Sequence, residues 1–409
     1  MKIIYLAPET GIRYNMSGGA GTHMRGTVES LKENNDVIVA VGGDLLVENE
    51  SPIDNQNRNS KKRNDIKSVV RSLIKKILLK NIKLFYNDLK IIKENQKVFT
   101  KVNSLINLND LPDIIYERSA YGFDVGYKIS KKYNIPLVLE SDVIILDLVK
   151  PRTTKIFNSF FYKIREKKKV SNADGIVVMS EPSIQLMKQI WQVKHDRIFF
   201  KGLGINLNKG QNINKDYVDE KYDLKGKFII GYVGIFQDYQ NIPILFEVAK
   251  LLKNDNFIFL IVGTGSRLLE YKTIVKNEGL TNVVFTGLID KDLMDEFYDR
   301  IDLGVITDNA PHMYPVKYLE FISKKVLTVS PNYPSFNIFF ENEDVKERFT
   351  FEAKNPLDLK NKIIGIKRDL VNSKELMSYS KRVVKDQFTW AKCGERLEHS
   401  LKLVLEYKK

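Results

Sequence analysis

FIIGYVG (228–234), FIFLIVG (257–263), VVFTG (283–287) and LGVIT (303–307) follow one another with room for a helix between each pair. Runs this short and this apolar read as strands buried on both faces, as in a parallel sheet covered by helices. The same pattern extends toward the N-terminus through IIYLA (3–7), DVIVAVGG (36–43), DIIYE (113–117), PLVLES (136–141) and GIVVMS (175–180). Between the two series lies NLNKGQNINKDYVDEKYDLKGK (206–227), polar and without a clear period. The chain therefore predicts two α/β domains of doubly wound type.

Composition narrows the classes. The 409 residues are 43% hydrophobic and 28% charged, which excludes wholesale disorder. A single cysteine, Cys393, excludes a disulfide framework, and His23, His195, His312 and His399 show no metal-ligand spacing. No run reaches the roughly 18 apolar residues of a membrane span. MKIIYLAPET reads as a first strand rather than a signal peptide, so a cytoplasmic protein is expected.

Charge is uneven. Residues 1–206 carry 34 basic and 22 acidic side chains, against 31 and 29 in the remainder. An anionic partner is expected to meet the first half. The excess concentrates in residues 61–101, with 13 basic and 3 acidic side chains. Val69, Leu73 and Ile77 there recur as on one helix face, and Val70, Ile74, Leu78, Ile82 and Phe85 add apolar bulk. The segment reads either as a solvated helical insertion, within about 45–110, or as a surface for anionic lipid headgroups or an anionic acceptor. No nucleic-acid recognition motif accompanies the charge.

Several loops carry polar or glycine chemistry. SGGAGTH (17–23) opens a helix, where glycines admit a ligand and free N–H groups face anionic oxygens. Its spacing is not the dinucleotide fingerprint. Glu140-Ser141-Asp142 and Glu117-Arg118 close strands at the sheet edge where such folds bind ligands; a helix N-cap by Ser141 or Asp142 explains the first at least as well, and an internal ion pair explains the second better than a substrate contact does. Val262-Gly263-Thr264-Gly265 follows a strand as a tight turn lining a cleft. In PVKYLEF (315–321), Lys317 and Glu320 lie one turn apart. They suit either an ion pair or a site for a diphosphate and ribose hydroxyls. Asp290-Lys291-Asp292 reads as helix capping rather than a metal motif.

In this order, the pieces resemble a GT-B glycosyltransferase of family 4 over nearly the whole length. The resemblance is carried by SGGAGTH, DIIYERSAYGFDVGYKISKKYNIPLVLESD, ADGIVVMSEP, KGLGIN, GYVGIF, VGTGS, VVFTGLI, PVKYLEFISKK and QFTWAKCGERLEHSL. It implies two Rossmann-like domains facing a cleft: an acceptor-side domain (1–206), a nucleotide-sugar domain (207–388) and a C-terminal helix (389–409) crossing back to the first. The implied reaction is glycosyl transfer with retention from a nucleotide-diphosphate-sugar, without a metal or other cofactor. Positive side chains and helix N–H groups would then stabilise the diphosphate leaving group.

Position by position, Glu320 matches the second Glu of the family's E-x7-E motif and is expected on the ribose. Lys317, with the backbone of Tyr314, Pro315 and Val316, is expected at the diphosphate and sugar. Gly18, Gly19, Gly21, Gly234 and Gly263 would admit the donor, and Leu288 and Ile289 would bracket the base. Lys317, Asp142 and His312 are the catalytic candidates; His23, Arg118 and Glu140 are placed on the acceptor side. Two departures stand out. His312 replaces the first Glu of the motif, and IFQDYQNIP (235–243) lacks the Arg and Lys that many relatives direct at the diphosphate. Lys317 is the expected substitute, as in relatives with a P-x-K-x-x-E variant. The expected role is cell-surface polysaccharide or glycolipid assembly, peripheral on the inner membrane face. The alternatives are a non-catalytic binding or regulatory partner and a nucleotide-sugar epimerase of the same fold.

Overall fold

The computed structural model describes residues 1–16, 18–46, 66–141, 159–207, 214, 216–236, 240–253, 255–308 and 311–408. By contact, the chain divides into two compact units. The first is Met1–Met179 with Ser183–Lys201 and Gly394–Lys409; the second is Gly202–Cys393 with Ser180–Pro182.

The first unit holds β1 (Lys2–Ala7), β2 (Asp36–Val41), β3 (Ile114–Arg118), β4 (Leu137–Ser141), β5 (Gly175–Val178) and β6 (Ile198–Phe200). They form one sheet in the order β2-β1-β3-β4-β5-β6, with each neighbouring pair parallel. Ile4, Leu6, Ile115, Leu137, Leu139, Ile176 and Val178 pack into one core cluster. Ile3, Tyr5, Ile114 and Tyr116 on the opposite face are equally buried. Both faces are covered, which is why these strands are continuously apolar instead of alternating. Chain order switches sides between β1 and β3, so the carboxyl ends of that pair form the unit's natural ligand crevice.

The second unit holds β7 (Phe228–Val233), β8 (Phe257–Val262), β9 (Val283–Gly287), β10 (Leu303–Val305), β11 (Leu327–Pro331) and β12 (Thr350–Phe351). Their order is β12-β11-β10-β7-β8-β9, again parallel throughout. The switch point here lies between β7 and β10.

Three strands escaped the sequence reading. β6 and β12 are too short to show a pattern. β11 carries Thr328 and Ser330, which look like surface residues but are fully buried. The 36–43 run also stops early, at Val41. Gly42 and Gly43 open a short helix there, and a Cβ would lie 2.4 Å from the Pro8 carbonyl oxygen at Gly42 and 2.1 Å from that of Ile12 at Gly43, so only glycine fits at both.

The basic segment contains a helix, Ile66–Ser104, of 39 residues. Val98 and Val102 join the first unit's core, while Phe85, Tyr86, Leu89 and Ile92 stand exposed. Residues 61–65 and the Val69, Leu73 and Ile77 side chains lie outside what is described. The final helix, Trp390–Tyr407, buries Leu397, Leu401 and Val404. Its Arg396 Nε donates to the Lys201 carbonyl at 2.9 Å, within the first unit.

Candidate functional site

The second unit's site grows from glycines at the strand ends. Gly234 follows β7 with φ 150°, and Gly263 follows β8 with φ 129°. A Cβ at Gly234 would lie 2.4 Å from both Cε and Nζ of Lys317; one at Gly263 would lie 2.0 Å from the Gly234 oxygen. The turns lie against each other, with Gly234 N donating to Val262 O and Gly263 N to Gly287 O, each at 3.0 Å. Into this space the Val316–Ser323 helix brings Lys317. Tyr318, Leu319, Phe321 and Ile322 bury the helix's apolar side. That leaves Lys317 and Glu320 half-buried on the other side.

Lys317 Nζ donates to Tyr232 Oη at 3.0 Å and lies 4.8 Å from that ring's centroid. The Gln240 amide, turned so that both of its ends are satisfied, accepts from the same ammonium at 2.5 Å. These close partners are uncharged. Burial therefore pushes the Lys317 ammonium down to about 8, against a smaller opposing pull from Glu320. Burial pushes the Glu320 carboxyl up, moderated by Lys317, by the Tyr298 hydroxyl at 3.4 Å and by Lys324. The arrangement favours a cation held for an incoming anion over a closed ion pair.

The neighbouring candidates divide. His312 and Tyr314 belong to the loop entering the Val316–Ser323 helix. The His312 main-chain oxygen accepts from Ser180 Oγ. Tyr314 Oη donates to Leu203 O at 3.2 Å, and its ring packs 5.9 Å from Phe388. The Tyr314 side chain thus fastens the loop, leaving its backbone as the part that can meet a ligand. Pro315 is the helix N-cap and Val316 its first residue. Leu288, 80% exposed, and Ile289 follow Gly287 at the end of β9. Asp290 stands at the N-cap of the next turn, but its side chain makes no capping hydrogen bond. Among the described residues, no group of three or more His, Cys, Asp or Glu could hold a metal ion.

In the first unit, Gly18 (φ 88°) caps the Gly19–Lys32 helix. A Cβ at Gly21 would lie 2.0 Å from the Met16 oxygen, whereas one at Gly19 would meet open space. Gly18 and Gly21 are therefore required by the loop itself. His23, on that helix, lies 3.2 Å from Glu140 on β4. Lys201, just past β6, reaches Glu140 at 2.5 Å and Thr27 at 2.9 Å, and Tyr116 donates to Glu140 as well. Arg118 Nε is 3.9 Å from Glu140. Burial alone would raise the Glu140 carboxyl; His23 and Lys201 overcome it and hold the group well below the usual carboxylate range. With no exposure, Glu140 organises the strand ends and is not itself open to an acceptor.

The expected internal ion pair of Glu117 is found with Lys169, at 3.8 Å. Lys169 also pairs with Glu166 at 3.0 Å and donates to the carbonyls of Ala120 and Phe123. Burial pushes Glu117 up to about 7, against the pull of Lys169. Ser17 and Asp142 lie outside the described residues.

Lys201, Tyr116 and Thr27 in one unit, and Tyr232 and Gln240 in the other, were missed by sequence reading. The only available signal was a hydroxyl or an ammonium next to a fully apolar strand, as in GYVG and KGLG. Such a group needs a buried partner, but the sequence does not say which.

Residues 214–383 match the family model for Glycosyl transferases group 1. No curated protein matches the chain. Among solved structures, the chain is similar to HepE from Anabaena in complex with UDP (TM-score 0.70, 15% identity, covering 98% of this chain and 100% of that one). It is also similar to sucrose-phosphate synthase from Thermosynechococcus elongatus (TM-score 0.70, 14% identity, 100% of each chain). A glycosyltransferase from Rickettsia africae gives TM-score 0.63 at 18% identity, covering 99% of this chain and 98% of that one. At these identities the likeness establishes the fold, which is GT-B.

Proposed function

We propose that this GT-B chain, whose residues 214–383 match the model for Glycosyl transferases group 1, moves a sugar from a nucleoside-diphosphate sugar to a cell-surface polysaccharide or glycolipid acceptor. The observation that carries the donor half is the Val316–Ser323 helix start. It brings a cation with uncharged partners to the switch point, where the glycine turns after β7 and β8 let the Lys317 side chain and the backbone pack closely. Lys317 and the adjacent helix N-terminus would stabilise the departing diphosphate, so that no metal is needed for charge neutralisation. Glu320 would accept from ribose hydroxyls. Retention at the anomeric carbon is part of the same proposal, by resemblance.

UDP is the first nucleotide to try, because HepE holds it. Calorimetry with UDP, GDP and ADP should find one that binds, and Glu320→Ala should weaken it roughly tenfold or more, about 1.4 kcal/mol. If none of the three binds, the donor reading is wrong. Product analysis by NMR then separates transfer from epimerisation, since only an epimerase turns the donor alone into a product with an inverted sugar centre, whereas a transferase without acceptor gives at most the hydrolysed sugar and nucleoside diphosphate.

The acceptor half is proposed to act at an anionic membrane surface. What supports it is Phe85, Tyr86, Leu89 and Ile92 standing exposed on the helix of a segment with a strong basic excess. Apolar residues flanked by lysines suit an interfacial helix. Among the described residues, no helix is long and apolar enough to cross a membrane. The full chain should float with phosphatidylglycerol vesicles at low salt, and Phe85→Ser with Leu89→Ser should reduce it. Equal recovery with neutral vesicles would remove the electrostatic part of the idea.

A further inference from the structure

Lys317 comes to the switch point on a flexible four-carbon stem, and such a stem does not fix an ammonium by itself. The surroundings do so from three directions. Below it, the Tyr232 ring lies 4.8 Å away, with its hydroxyl accepting at 3.0 Å. Beside it, the Gln240 amide oxygen accepts at 2.5 Å, while the amide nitrogen donates to Tyr232 Oη at 2.5 Å and also to Ile235 O. Tyr232 Oη donates in turn to Ile235 O at 3.3 Å. Behind it, the absence of a side chain at Gly234 leaves the volume that Cε and Nζ fill. Gln240 is itself held through its main chain, whose carbonyl oxygen accepts from Thr307 Oγ1 just past β10. Both residues are buried, Tyr232 at 1% and Gln240 at 8% exposure.

We propose that Tyr232 and Gln240 are positioning residues. They hold the Lys317 ammonium at the carboxyl end of β7, so that one cation, supplied by the Val316–Ser323 helix, faces the donor's diphosphate. The inference rests on the donor-site reading above and adds how the cation is aimed. A neutral pair of acceptors is the chemistry this task requires. A carboxylate in either place would orient Lys317 equally well but would cancel the charge meant for the ligand. The same geometry says that the ammonium, not the residue that brings it, is what the site needs. A lysine at 240 is one bond longer than glutamine, and the present amide oxygen already lies within hydrogen-bond distance of the ammonium. Such a side chain can therefore place its own ammonium close to the spot that Lys317 Nζ occupies.

The test uses the full chain, the nucleoside diphosphate that binds in the UDP, GDP and ADP panel, and the affinity read from pH 6 to 9. Wild-type affinity should fall on the alkaline side. Tyr232→Phe and Gln240→Met each remove an acceptor from the ammonium. Each should lower affinity about tenfold at pH 8 and move the alkaline fall to lower pH. Gln240→Glu should move the fall to higher pH while still weakening binding. Lys317→Met should lose the fall altogether, and Lys317→Met with Gln240→Lys should recover at least tenfold over Lys317→Met alone. A merely structural role for Tyr232 or Gln240 would lower thermal stability and leave the pH profile where it was. Unchanged profiles in Tyr232→Phe and Gln240→Met, with a double variant no better than Lys317→Met, would overturn the inference while leaving the donor site standing. If Lys317→Met binds as the wild type does, the donor reading itself fails.

Discussion

Lys317 and Glu320 show what a residue type discloses and what it withholds. One turn of helix separates them, and that spacing was legible. Whether they close on each other or face a ligand depends on the groups nearest the ammonium, and those are Tyr232 and Gln240. The consequence is measurable as linkage. An unfolded lysine titrates near 10.4, whereas burial brings Lys317 to about 8. Between those values the unfolded chain binds more protons than the folded one, so stability contributed at this position rises with pH. The unfolding free energy of wild type relative to Lys317→Met should thus improve for wild type from about pH 8 to about 10.4, by up to about 3 kcal/mol. Urea titrations of both proteins across that range would show it; parallel curves would mean that Lys317 titrates as if exposed. Donor turnover in the wild type should decline over the same range, because the neutral amine offers no charge to a leaving diphosphate.

At the scale of elements, the strands explain themselves and the turns explain the site. Continuous apolar runs predicted parallel strands, and the described residues form two such sheets. β11 was hidden because Thr328 and Ser330 are polar in composition yet fully buried. The glycine turns after β7 and β8 were visible as motifs, but which glycine is indispensable was not. Gly263→Ala combines a positive φ with a Cβ 2.0 Å from the Gly234 oxygen. The strain alone is worth roughly 1–3 kcal/mol, and the clash must also displace the Gly234 turn. Reduced melting temperature together with weakened nucleotide binding is expected. Gly19→Ala, where a Cβ meets open space, should leave the melting temperature close to wild type. Any loss of function there would then come from the ligand side. A thermal scan of the two variants side by side decides this.

At the scale of the whole chain, contact divides the molecule differently from linear order. The last helix starts in the second unit, but Gly394–Lys409 is counted with the first. Leu397, Leu401 and Val404 are buried there, and Val404 Cγ2 would lie only 2.8 Å from a Cβ at Gly175. Leu401→Ala should therefore cost about 2–5 kcal/mol in urea unfolding. Nucleotide affinity, which the proposal assigns to residues of the second unit, should be retained once the variant is folded. A fall in affinity matching the fall in stability would show instead that the two units do not act separately.

The order of apolar runs, the polar stretch near 206–227, the basic excess of the first half and the lysine–glutamate helix start were all present in the linear chain. Each depends on neighbours along the backbone, through side-chain periodicity, strand burial or helix spacing. The neutral cradle of Lys317, the burial of Glu140 among His23, Lys201 and Tyr116, and the burial of β11 were not. Those join residues up to 178 positions apart, as His23 and Lys201 are. A buried polar group announces only that it needs a partner; which partner it gets is settled when distant strands are laid side by side.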